Sequence, residues 1–214
     1  MSTAAIPDLI ARYPELDECV PDIHGAFSLL EACFEKGGKT LICGNGGSAA
    51  DCEHVVGELM KGFLTRRELP DEMRARFTDA FPAEGDYLAD HLQGALPAIS
   101  LVSHSGLITA YSNDVAADMI YAQQVYGYGR QEDVLIAIST SGRSVNILNA
   151  VRVARSLNLA TIGFTGRGGG VLAELCDVAV RVPEDETLKI QERHLPIYHA
   201  LCTMLEQAFF PDQT

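Results

Sequence analysis

His54 and Glu58 stand four residues apart in SAADCEHVVGELMKGF, so a helix through that segment sets an imidazole and a carboxylate on one face. Such a pair suits proton transfer or metal ligation. A second set lies far along the chain, in IQERHLPIYH, where Gln191 and His199 are eight residues apart. On a straight helix their directions differ by only about 80°. Pro196 lies between them; inside a helix it removes one hydrogen bond and tends to kink the axis. Taken alone, His199 reads as well as a satisfied core histidine as a functional one. His194 reads as a surface or interface histidine.

Two turns could hold an anion. CGNGGS precedes the His54 helix, and Gly44, Gly46 and Gly47 permit a tight turn with positive φ. Ser48 falls where an N-cap would, with free N–H groups just behind it. No Lys-Ser or Lys-Thr follows, so this is not a Walker loop, and the glycine spacing is not GxGxxG. The second turn is stronger. In AISTSGRSVNIL, Ser139, Thr140, Ser141 and Ser144 crowd four hydroxyls around Gly142 before a helical segment. Capping needs one such side chain; four, at the positive end of a helix dipole, suit a dianionic phosphate.

Five short apolar runs supply the strands that would position these turns: 40–43, 97–102, 133–139, 159–165 and 177–182. Most are rich in β-branched residues with little polar alternation, as in strands buried on both faces of a parallel sheet. Helical stretches alternate with them. HGAFSLLEACFEK stops at Gly37-Gly38, SVNILNAVRVARSL spans 144–157, and a long helix closes the chain. The pattern predicts an α/β fold, a doubly wound parallel five-stranded sheet flanked by helices. Both turns then fall at carboxyl ends of strands, where such folds bind ligands. One domain is expected over 1–214, with a helical N-terminal segment 1–38. Residues 64–93 break the rhythm and read as a helical insertion, since a structureless loop of that length is unusual in a compact domain.

The 214 residues suffice for a full core, and no apolar run is long enough to cross a bilayer. A formal charge of −13 argues against nucleic acid as a partner. The first residues lack the charged-then-apolar order of a secretory signal, and the six cysteines form no CxxC pair or framework. A cytoplasmic protein with reduced thiols is expected. Apolar stripes in HGAFSLLEACFEK and PIYHALCTMLEQAFF exceed what one sheet needs to be covered, which predicts an oligomer.

CGNGGSAADCEHVVGEL, AISTSGRS and KIQERHLPIYH together resemble the sugar isomerase (SIS) domain family, and within it the phosphoheptose isomerases. The likeness covers the chain outside 64–93 and implies a flavodoxin-like fold. It implies aldose–ketose isomerisation of sedoheptulose 7-phosphate to D-glycero-D-manno-heptose 7-phosphate, with no nucleotide or redox cofactor. It assigns the phosphate to Ser139, Thr140, Ser141 and Ser144. Substrate contacts go to Asn45, Gly46, Gly47, Ser48, Asn113, Asp114 and Gln191, and proton transfer to Glu58 and His199. Some members hold zinc, and the ligand positions match His54, Glu58, Gln191 and His199. The family is typically a homotetramer whose sites draw on neighbouring subunits. Ser112-Asn113-Asp114 stands where the family has Gly-Asn-Asp, and Leu188 replaces an aspartate often found three residues before the glutamine. An isomerase of another sugar phosphate, or a non-catalytic SIS protein binding a sugar phosphate or a protein partner, remains an alternative.

Overall fold

A computed structural model describes residues 4–211. Five strands, β1 (Thr40–Gly44), β2 (Ala98–Ser100), β3 (Val134–Ile138), β4 (Ala160–Thr165) and β5 (Val178–Arg181), pair in parallel in the order β2-β1-β3-β4-β5. That is the doubly wound sheet the apolar runs predict, each strand ending within a few residues of its run. The N-terminal segment supplies α1 (Ala5–Arg12), a 3₁₀ turn over Pro14–Cys19 and α2 (Val20–Glu35). Then come α3 (Gly47–Met60), α4 (Asp71–Ala80) and α5 (Gly85–His91). Between β2 and β3 lie α6 (Ser105–Tyr111), a π turn over Ser112–Ala116, a 3₁₀ turn over Ala117–Met119 and α7 (Ile120–Tyr128). The chain closes with α8 (Val145–Ser156), α9 (Gly170–Leu175) and α10 (Thr187–Phe209).

Successive side chains on a strand point to opposite faces, and each face of this sheet builds its own core. Ile42, Ile136, Ile138 and Phe164 pack under α2, α3 and α10 through Ile23, Leu30, Leu59 and Leu201. Leu41, Cys43, Leu135 and Ala137 pack on the other side with Val125 of α7 and Leu148 and Val151 of α8. Burying a leucine or isoleucine is worth about 1.5–3 kcal/mol, and cutting one back to alanine in such a core costs about 2–5 kcal/mol. The central strands are therefore a stiff base for the loops at their carboxyl ends.

Three expectations need correction. His194 is 0 % exposed rather than a surface residue, lying edge-on to Phe164. The apolar stripes of α2 and α10 are not left open: the two helices pack on one another and on the sheet, so these stripes do not mark an interface. Ser48 lies inside the first turn of α3, whose N-cap is Gly46. Among the described residues all six cysteines are free, and five of them are buried. No helix there is long and apolar enough to cross a membrane.

Candidate active site

The chain passes from β1 to β2 on one side and then crosses to β3 on the other. This change of strand order opens a crevice at the carboxyl ends of the parallel β1 and β3, the usual ligand position in open α/β sheets. Both predicted turns are there. Gly46 takes φ +57° and ψ −121°, a conformation closed to L side chains, so that the backbone can turn sharply from β1 into α3. Gly142, at φ +63°, packs so tightly on the Gly169 carbonyl that no side chain would fit. Asn45 and Asn146 exchange two side-chain hydrogen bonds, each 2.9 Å, and fasten one turn to the other.

The hydroxyls of the second turn behave as a ligand cradle would. Ser144 is the N-cap of α8, yet its side chain makes no capping bond and instead accepts from the buried Ser139 Oγ at 3.0 Å. Ser141 is exposed, and among the described residues its hydroxyl has one partner, a long 3.3 Å bond accepted from the Arg143 N–H. Donors are thus left free at a helix N-terminus.

A second cluster forms further along α3. His54 Nε2 lies 3.1 Å from Glu58 Oε1 and 3.5 Å from His199 Nε2, which brings α10 to the same spot. Their ligand atoms all fall within 4.8 Å of one another, a span that one metal ion could bridge. Lys61 Nζ donates to the other Glu58 oxygen at 3.2 Å. Partial burial holds the His199 imidazole below its ordinary pKa, with neighbouring His54 adding to the effect and Glu58 opposing it.

His54 is oriented from behind. Its Nδ1 is 3.0 Å from the Tyr198 hydroxyl, which in turn donates to Asp51 Oδ1 at 3.3 Å. The phenol has one proton; when that proton goes to Asp51, Nδ1–H must be the donor to the phenol oxygen. Nε2 is then a bare lone pair facing a carboxylate oxygen, and two acceptors so placed need a proton or a metal ion between them. The donor set therefore fits a divalent metal. Burial raises the pKa of Tyr198, with Asp51 adding to it, so the phenol stays protonated.

Not every expected partner joins these clusters. Gln191 packs its amide against Gly47, two turns along α10 from His199 or about 12 Å of helix. The fourth expected ligand is therefore not gathered with the other three. Asn113 and Asp114 lie exposed on the π turn, hydrogen-bonded to each other at 2.8 Å. Leu188 is 66 % exposed at the start of α10.

Comparison with known proteins decides what these parts belong to. The SIS domain family model matches residues 88–166. The phosphoheptose isomerase of Rhodospirillum rubrum is 39 % identical over 193 residues, covering 90 % of this chain and 89 % of its own. The chain belongs to the phosphoheptose isomerase family. Among solved structures, the family's Francisella tularensis member superposes with TM-score 0.75 at 34 % identity, covering 92 % of this chain and 91 % of its own. The Neisseria gonorrhoeae member gives TM-score 0.71 at 32 % identity, with 94 % and 96 % covered.

Several residues beside this phosphoheptose isomerase-family site escaped the sequence reading. Asp51 was within reach, because 51, 54 and 58 repeat at helical spacing and share a face. Tyr198 and Asn146 depend on which helices and loops come together, and no local pattern reports that.

Proposed function

We propose that the protein interconverts a ketose and an aldose phosphate, sedoheptulose 7-phosphate and D-glycero-D-manno-heptose 7-phosphate, with Glu58 and His199 as the proton-transfer pair. The observation that carries this reading is the meeting of a carboxylate from α3 and an imidazole from α10 around His54. The names borne by the relatives support the heptose substrate.

The chemistry asks for one group to take a proton from carbon and another to serve the adjacent oxygens. Starting from the ketose, a base removes a proton from C1 while the C2 carbonyl oxygen gains one, giving an enediol. Loss of the O1 proton and return of a proton to C2 then give the aldehyde. Nothing is oxidised or reduced overall, so no redox cofactor is required. Glu58 suits the carbon-bound proton. His199, kept largely neutral by burial, suits shuttling between the two oxygens. The hydroxyls of Ser139, Thr140, Ser141 and Ser144 hold the phosphate, and Asn45 the polyol. His54, Glu58 and His199 would hold a zinc ion, which when bound would polarise a substrate oxygen.

Within one chain the two clusters stand apart. Glu58 comes eleven residues after Gly47, about 16 Å along α3 from the end beside the phosphate turn. An extended heptose phosphate is shorter than that. This separation supports a homo-oligomer, a tetramer by family likeness, in which one copy's phosphate turn faces another copy's Glu58 and His199. Leu107, Val115 and Tyr126 are exposed apolar side chains available to such contacts.

The test is to incubate the purified protein with sedoheptulose 7-phosphate and with pentose and hexose phosphates, following interconversion by NMR. Glu58→Gln and His199→Asn should each lose about 10²–10⁴-fold in turnover with binding retained. Wild-type protein that converts none of the panel would move the non-catalytic SIS reading to first place.

A further inference from the structure

Arg67 is an arginine with a 0 % exposed side chain, and the proton-transfer chemistry does not use it. It enters from the segment between α3 and α4 and ends against the carboxyl end of α3. Nη1 donates to the Leu59 carbonyl at 2.6 Å and Nη2 to the Glu58 carbonyl at 3.0 Å. These are carbonyls of the last helical turn, which lack intrahelical partners. Its Nε forms an ion pair with Glu206 Oε1 at 2.8 Å.

Glu206 belongs to α10. It follows His199 by seven residues, two turns, and so lies on the same face. Its carboxylate, 3 % exposed, also accepts from the N–H groups of Phe63 at 2.7 Å, Leu64 at 2.8 Å and Thr65 at 3.2 Å. Burial alone would raise its pKa. The bonds from Phe63 and Leu64, joined by Arg67, outweigh that and hold it below the ordinary range. Phe63, leaving this knot, sets its ring 5.4 Å from that of His199. The Arg67 guanidinium also lies 4.7 Å above the Phe210 ring.

Two helices that each carry one member of the proton-transfer pair are thus joined by one buried ion pair. We propose that Arg67 and Glu206 are positioning residues that fix Glu58 relative to His199. The inference rests on the reading of Glu58 and His199 as that pair. Apolar packing between α3 and α10 would permit small sliding. A planar guanidinium bonded at once to two carbonyls and a carboxylate fixes distance and rotation together. Reacting groups tolerate little such error, because a misplacement of about 1 Å can cost about 10²-fold in rate.

The experiment compares Arg67→Lys and Glu206→Gln with wild type and with Glu58→Gln. The lysine keeps the charge but cannot reproduce the fork, and the glutamine keeps the shape but loses the ion pair. Folding is checked by circular dichroism and thermal unfolding, and rates are measured well below each midpoint. Expected for both variants is a turnover about 10- to 100-fold down with KM for the sugar phosphate within about threefold. A larger kinetic isotope effect with C1-deuterated substrate should accompany it, because proton transfer becomes the slow step. A purely structural role would not change that isotope effect. Should Arg67→Lys not fold, Glu206→Gln carries the same measurement. Folded variants with wild-type turnover and isotope effect, beside an inactive Glu58→Gln, would overturn the clamp alone. An active Glu58→Gln would instead overturn the proton-transfer reading and leave the clamp nothing to position.

Discussion

Asn45 and Asn146 face each other across the crevice and exchange a pair of amide hydrogen bonds, each 2.9 Å, although 101 residues separate them in the chain. The two glycine-containing turns are therefore held at a fixed spacing by these bonds. Asn146→Ala should remove both bonds and loosen the phosphate turn relative to the polyol side. A loss of about 1 kcal/mol per neutral bond predicts KM up by about 5- to 30-fold, with turnover less affected. Steady-state kinetics on the heptose phosphate check this.

Ser141 and Ser144 make no bond that the fold requires, so replacing both with alanine should spare stability and weaken the phosphate. Each charge-assisted bond lost should cost about 1.5–3 kcal/mol. Calorimetric titration with substrate and with inorganic phosphate reads the change. Unaltered affinity for both would remove the phosphate from this turn.

If the site is shared between copies, two dead variants should repair one another. A Ser141→Ala/Ser144→Ala chain keeps Glu58 and His199, while a Glu58→Gln chain keeps its hydroxyls. Mixed after mild dissociation and reassembly, they should regain a substantial fraction of wild-type turnover, since some sites combine both intact halves. A mixture no more active than its components, or light scattering that returns a monomer at micromolar concentration, would contradict the shared site.

Metal occupancy has its own readout. His54, Glu58 and His199 form a plausible zinc set, so elemental analysis after mild dialysis should find metal in the wild type and less in His54→Ala. A strong chelator should lower the thermal midpoint of the wild type and leave that variant unmoved. Equal metal content in both proteins would exclude these ligands.

Much of this was readable in advance. Ile136 and its neighbours announced a buried strand because five apolar residues in a row leave no solvent face. The hydroxyls after it stood out because one of them would have sufficed for capping. By contrast, the break of residues 105–128 into helices, a π turn and a 3₁₀ turn has no marker in the residue pattern. His194 misled because polarity near charged neighbours suggests the surface, whereas position on the inner face of α10 decided its burial.

That burial has a measurable effect. His194 has Nε2 at 3.3 Å from the Thr165 carbonyl, while Nδ1 has no partner among the described residues. Burial holds its pKa down to about 4, only partly offset by the Thr165 carbonyl. An unfolded histidine takes up its proton near pH 6.5 and this one only near 4, so between those values the unfolded state binds more protons. Stability should therefore be lost as pH is lowered from 6.5 to 4, by roughly 3 kcal/mol in all. His194→Gln should flatten the slope of urea stability against pH between 6.5 and 4; an unchanged slope would refute the assignment.

At the base of the α4–α5 arm the chain returns to where it left. The N–H of Gly62 donates to Gln93 Oε1 at 2.7 Å, and the N–H of Gly94 donates to the Arg67 carbonyl at 2.7 Å. Residues 68–92 are thus a closed excursion, fastened at its root by these two bonds. Since loop-closure entropy grows only with the logarithm of length, the α4–α5 arm is free to change size at little thermodynamic cost. A change in the length of that arm would then leave the helix end where Glu58 sits undisturbed.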